Sequence, residues 1–158
     1  MPYIQAIKSC NRCVFCEEVL VEGADPDLVI HRGRHAFVVM NLYPYTTGHL
    51  MIVPYRHAAS LSGLEEAELE EATILLQRAE RAVEAAFGTR RHHVGINLGR
   101  CAGAGVEGHI HIHLVPRVSR PADDLPATLE TEGILPLIEA RDLLAAAWSR
   151  TTDHSTAS

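Results

Sequence analysis

Hydrophobic positions in this chain fall into short runs at both ends of one long helical pattern. "DLVIHRGRHAFVVMNLY" reads as two short strands about a turn at Arg32-Gly33, and "TTGHLMIVPYRH" as a third, stopped by Pro54. Consecutive short strands of this kind suit antiparallel pairing. From about Gly63 to Phe87 the period changes: Leu69, Ala72, Leu76, Ala79, Val83 and Phe87 recur at helical spacing, so one stripe of a helix packs on a core. Ser62 and Glu65 form an S-x-x-E capping box at its start. Glu65, Glu66 and Glu68 suit the positive end of the helix dipole, on a face expected to be solvated, and Gly88 is a natural stop. "HHVGINLG" is expected to be a strand, "RCAGAGVEG" a glycine-rich loop and "HIHIHLVP" a strand ended by Pro116. After the polar connection "RVSRPADDLPATLETEG", "LPLIEARDLLAAAW" reads as a second helix. The order strands, helix, strands, helix predicts an α+β fold rather than a doubly wound parallel sheet. Residues 1–148 are expected to form one domain, and the polar stretch 149–158 a disordered tail.

The length, 158 residues, suits a single core. A formal net charge of −6 argues against a broad nucleic-acid surface but leaves room for a local anion site. No apolar run is long enough for a membrane span, and the start "MPYIQAIKSCNRC" lacks a secretory pattern, so a cytoplasmic protein is the default. Three of the four cysteines, Cys10, Cys13 and Cys16, crowd the N-terminus, and the fourth is Cys101. In a reducing compartment, C-x-x-C is more often a metal or redox element than a staple, and the two-residue spacing lets both thiolates bind one tetrahedral zinc.

The histidines change the picture most. His109, His111 and His113 alternate with Ile110, Ile112 and Leu114. On a strand, the three imidazoles share one face at steps of roughly 7 Å, while the aliphatic residues pack beneath the helix. Core building explains the aliphatic half only. Two chemistries fit the other half: a metal site, or a neutral imidazole acting as nucleophile beside proton donors. Gly103, Gly105 and Gly108, just upstream, can turn backbone N–H groups toward an anion, which suggests a phosphate presented to an imidazole. His92, His93 and His154 read as surface residues, Tyr43 and Tyr45 as wall or contact residues, and Arg117 as either a ligand clamp or a solvated side chain.

"HIHIHLVP" resembles the H-φ-H-φ-H-φ-φ signature of the histidine-triad (HIT) family of nucleotidyl hydrolases and transferases. "CVFC", "MNLYPYTTGHLMIVPYRH", the long helix and "GINLGRCAGAG" follow in the family's order, over roughly residues 13 to 118 and more loosely to Trp148. Within the family, the diadenosine tetraphosphate phosphorylase (ATP adenylyltransferase) branch is most similar.

The resemblance implies a mainly antiparallel five-stranded sheet with one long helix and a C-terminal helix, in a homodimer. It implies an adenylyl or other nucleotidyl group cleaved from a phosphoanhydride, dinucleoside polyphosphates leading. Nucleoside phosphoramidate or dinucleotide hydrolysis, or a zinc-stabilised nucleotide-binding module without turnover, are the alternatives. His111 would be the nucleophile, His113 would assist the leaving group, His109 would orient its neighbour, and His49 would back the row. Asn41 would hold the ribose, and Asn97 with Gly103 and Gly105 the phosphate. A structural zinc would be held by Cys13, Cys16, His57 and His109, and no organic cofactor is expected. The chain departs from the branch after Arg117, where Val118-Ser119-Arg120 replaces a tryptophan-containing segment, so the wall around the distal phosphates is expected to differ.

Overall fold

The structure, a computed structural model, describes residues 13–17, 27–99, 108–117 and 135–151. In chain order the elements are α1 (Val14–Glu17), β1 (Val29–Arg32), β2 (Ala36–Met40), β3 (Leu50–Pro54), α2 (Glu66–Phe87), β4 (His92–Ile96), β5 (Ile112–Pro116) and α3 (Leu137–Trp148), with a 3-10 turn at Leu61–Gly63. The strands form one five-stranded sheet in the order β1-β2-β3-β5-β4, and every neighbouring pair is antiparallel. The α+β expectation and the five-stranded sheet both hold.

β2 and β3 are buried along their whole length, which explains why their sequences are continuously apolar rather than alternating: both faces of the sheet are covered there. On one face Ala36, Val38, Met40, Leu50, Ile52 and Leu114 pack beneath α2 and α3. On the other, Phe37, Val39, Met51 and Val53 meet Val14 and Phe15 of α1. α2 rests on Ala72, Leu75, Ala79, Ala82 and Val83, three of them alanines. The expected stripe is therefore rotated at its N-terminal end, where Leu69 is exposed and Glu68 buried.

The start of α2 also differs from expectation. Glu65, not Ser62, is the N-cap, and the capping box is Glu65 with Glu68, whose carboxylate accepts the Glu65 N–H at 2.7 Å. Ser62 lies in the preceding 3-10 turn. Glu68 is held by Arg56 at 2.8 Å, so this part of the acidic run is not a solvated face. One turn on, the Glu71 carboxylate accepts backbone N–H bonds from Arg34, His35 and Ala36 and pins the β1–β2 turn to the helix. α2 ends, as expected, at Gly88 in the left-handed conformation.

Trp148 closes α3 over the core with the Arg78 guanidinium 4.4 Å from its ring, and the Arg78 Nε donates to Thr151 Oγ1 at 2.7 Å. Among the described residues no helix is long and apolar enough to cross a membrane. Cys10, Cys101, Gly103, Gly105, His154 and the segment that departs from the family pattern after Arg117 lie outside the described residues.

Candidate active site and metal centre

Two hydrogen-bonded ladders fix the position of the histidines. β5 pairs with β3 so that His113 faces Met51, and with β4 so that His113 faces Gly95. The strand itself begins at Ile112. His109 and His111 precede it, so the expectation of three histidines in one regular strand is corrected: the ladder holds only His113. The Ile110 N–H donates to the Ala58 carbonyl at 2.7 Å and bends the chain toward the turn that carries His57. As a result the row divides. The His111 and His113 rings lie 4.7 Å apart, whereas His109 turns to His57, ring centroids 5.2 Å apart and planes perpendicular. Phe15 fills the angle between them, 5.4 Å from the His109 ring and 5.1 Å from that of His111.

The backbone partners assign the protons of the neutral rings. The Tyr45 N–H donates to His49 Nδ1 at 3.2 Å, so that nitrogen carries the lone pair. His49 Nε2 then carries hydrogen and donates to His113 Nδ1 at 3.0 Å. His113 is left with its hydrogen on Nε2. His111 Nδ1 faces the His109 carbonyl at 2.9 Å, and a carbonyl only accepts, so Nδ1 donates and the His111 Nε2 lone pair is unused. By the same reasoning His109 Nε2 donates to the Pro54 carbonyl at 2.7 Å, leaving its Nδ1 lone pair toward the cysteines.

Burial keeps these rings neutral. His49 is lowered to about 4 by burial and then by His113 and His111. His113 is lowered to about 4 by burial and then by His111 and His93. Burial also lowers His111 and His109, against the hydrogen bonds that each makes to a carbonyl.

Cys13, Cys16, His57 and His109 bring one ligand atom each within 4.8 Å of the others. His109 Nδ1 lies 3.3 Å from Cys13 Sγ and 3.5 Å from Cys16 Sγ, and His57 Nδ1 lies 3.4 Å from Cys16 Sγ. A tetrahedral zinc with ordinary bonds to sulfur and nitrogen sets such atoms about 3.5 Å apart. The donors, their separations and the carbonyl holding the far nitrogen of His109 all fit zinc. Gly108 fits as well: a Cβ there would stand 3.3 Å from His57 Nε2.

Asn41 leads into the loop between β2 and β3. Its N–H donates to the His49 carbonyl at 3.0 Å, and its Oδ1 accepts the Tyr43 N–H at 2.9 Å, so the carbonyl half of the amide shapes the loop. Asn97 follows β4, one residue past Ile96, which pairs with Ile112 at the end of the β4–β5 ladder. Arg117 is exposed just past β5. Sequence reasoning missed the Tyr45 N–H and the Pro54 carbonyl, because main-chain groups leave no trace in side-chain identity. It also missed Phe15, although its place inside "CVFC" was a signal.

Residues 22–120 match the family model of the HIT domain. The chain belongs to the HIT domain family. Relatives of this HIT domain include an AP-4-A phosphorylase of Mycobacterium tuberculosis (strain CDC 1551 / Oshkosh), 38% identical over 78% of this chain and 64% of that protein. The chain thus spans a little under two thirds of that relative. A bis(5'-nucleosyl)-tetraphosphatase [asymmetrical] of Schizosaccharomyces pombe is 29% identical over 56% of this chain and 48% of its own length. Among solved structures, a Zn-bound histidine triad family protein from Mycobacterium smegmatis superposes with a TM-score of 0.67 at 27% identity, covering 87% of this chain and 94% of that one.

Proposed function

We propose that this HIT domain transfers a nucleotidyl group from a dinucleoside polyphosphate, diadenosine tetraphosphate leading, through a covalent intermediate on His111. The observation that carries the reading is the orientation of His111. Its Nδ1–H is spent on the His109 carbonyl, which leaves Nε2 as a neutral nucleophile next to the Nε2–H of His113. The His111 Nε2 lone pair forms a bond to the α-phosphorus, and the bond from that phosphorus to the bridging oxygen breaks. The His113 N–H donates to the departing oxygen. Inorganic phosphate or water then attacks the same phosphorus and releases His111. Asn41 holds the ribose, and Asn97 and the glycine loop with Gly103 and Gly105 offer donors to the phosphate, where charge builds in the transition state.

Zinc bound by Cys13, Cys16, His57 and His109 would supply a structural cross-link. Of the row, only His111 and His113 then face the substrate. The names of the two enzyme relatives support the substrate class, and the Zn-bound relative supports the metal. The chain acts as a homodimer in this reading. β4 is an outer strand of the sheet, and its Val94 is 43% exposed.

The test is product analysis with diadenosine tetraphosphate. ADP plus ATP appearing only with inorganic phosphate supports a phosphorylase. AMP plus ATP without phosphate makes the protein a hydrolase. An intact substrate removes the reading for this nucleotide.

A further inference from the structure

The two sides of His113 are unlike. Toward β3 it meets Met51, 8% exposed, and His49, fully buried, so that side is a wall. Toward β4 its cross-strand partner is Gly95, which has no side chain. The notch left there is taken by an imidazole from two residues away: His93 Nε2 lies 3.4 Å from the point where a Cβ on Gly95 would stand. His93 is exposed and pairs with Val115, so it shares the face of His113, and its charge bears on His113. An exposed histidine on an outer strand meets no packing need in leaning this way. Whichever tautomer it adopts, one ring nitrogen carries a hydrogen to donate.

The ribbon continues in the same sense. The Arg117 N–H donates to the Arg91 carbonyl at 2.7 Å, which carries the β4–β5 register one step past the His92–Pro116 pair. Alternation puts Arg117 on the same face as Val115 and His113, and Arg91 on that of His93. From His113 onward this face therefore carries the His113 imidazole, the His93 imidazole at the Gly95 notch, Val115, and then the Arg117 guanidinium. Donors and positive charge in a line suit a polyanion rather than a single phosphate.

We propose that His93 and Arg117 form a track on the β4–β5 ribbon for the phosphates beyond the one that His111 attacks, so that the site selects leaving groups with several phosphates. This rests on the transfer reaction proposed above.

The experiment compares wild type with His93→Ala and Arg117→Ala on diadenosine tetraphosphate and on adenosine 5'-phosphoramidate, which has only the attacked phosphate. Tripolyphosphate binding is titrated in parallel, and thermal unfolding checks that the variants fold. Loss of one charge-assisted hydrogen bond predicts about a tenfold drop in kcat/KM for the tetraphosphate in each variant, and a similar weakening of tripolyphosphate. The phosphoramidate should fall by no more than about twofold, since it reaches neither group. Parallel losses on both substrates, or an unchanged tetraphosphate rate, overturn the track. If wild type turns over neither substrate, the transfer reaction fails and the titration alone decides. Tripolyphosphate binding that weakens in both variants then keeps the track, and binding that is absent or equal in all three proteins removes it.

Discussion

Replacing His49 with leucine tests how the site holds its protons. The ring is fully buried, accepts from the Tyr45 N–H at 3.2 Å and donates to His113 Nδ1 at 3.0 Å. Leucine fills the space and leaves both partners unsatisfied, at about 1–3 kcal/mol each. Leucine's own burial returns part of this, for a net loss of about 3 kcal/mol. For a domain of this size the melting temperature should fall by roughly 6–12 °C. The effect on turnover is separate. Without its donor, His113 no longer needs to keep hydrogen on Nε2, and a lost hydrogen bond to the leaving oxygen costs about tenfold in kcat. His49→Gln is the control, because its amide offers the same pair, an acceptor and an N–H donor. The assay is kcat on diadenosine tetraphosphate beside thermal unfolding, with the His113 tautomer read by nitrogen NMR. The expected order is wild type, then Gln, then Leu, with the tautomer population following. A folded His49→Leu variant with wild-type kcat refutes the reasoning, as does a glutamine variant no better than leucine.

A chelator should destabilise the zinc-loaded protein: at free zinc about a thousandfold above Kd the metal adds about 4 kcal/mol, which amounts to a melting shift of roughly 8–16 °C. Cys16→Ser should melt lower and lose that sensitivity, and an unmoved melting curve contradicts the site. Stability should also fall with acid. His49 and His113 sit at about 4 in the fold against 6.5 as model values, so between those limits the unfolded chain binds more protons. Stability is then full above about pH 6.5 and declines toward pH 4, His49 contributing about 3 kcal/mol at most. Urea titrations at stepped pH check this, and a flat profile across that window counts against the buried neutral pair. Gly48→Ala should cost about 2 kcal/mol or more in the same urea assay, because φ is +82° and the new Cβ would stand 2.5 Å from Phe87 Cε2. An unchanged midpoint would show that the loop before His49 relaxes freely.

Much of this was legible in the chain. Short apolar runs bounded by turn residues marked the five strands, and helical period marked the long helix, because burial imposes those patterns directly. The C-x-x-C spacing marked two metal ligands by itself, but His57 and His109 joined them only through the family resemblance, since Cys13 and His109 are 96 residues apart. Errors arose where a local rule met a tertiary contact. Ser62 satisfies a capping pattern, yet Glu68, drawn in by Arg56, caps through Glu65 instead. Glu71 looks like one more solvated acid, yet three backbone donors from the β1–β2 turn hold it. The histidine row reads as a strand, but the Ala58 carbonyl takes the Ile110 N–H and swings His109 to the cysteines. His93 is exposed, as expected, and only the pairing of β4 with β5 brings it beside Gly95.

The central claim, a nucleotidyl group carried on His111, is tested most directly by the stereochemical course at the α-phosphorus. A diadenosine tetraphosphate α-phosphorothioate of known configuration would be split with inorganic phosphate, or with isotopically labelled water if phosphate is not the acceptor. Two in-line displacements, first by His111 and then by the acceptor, predict overall retention. Inversion would mean a single direct attack and would contradict the account.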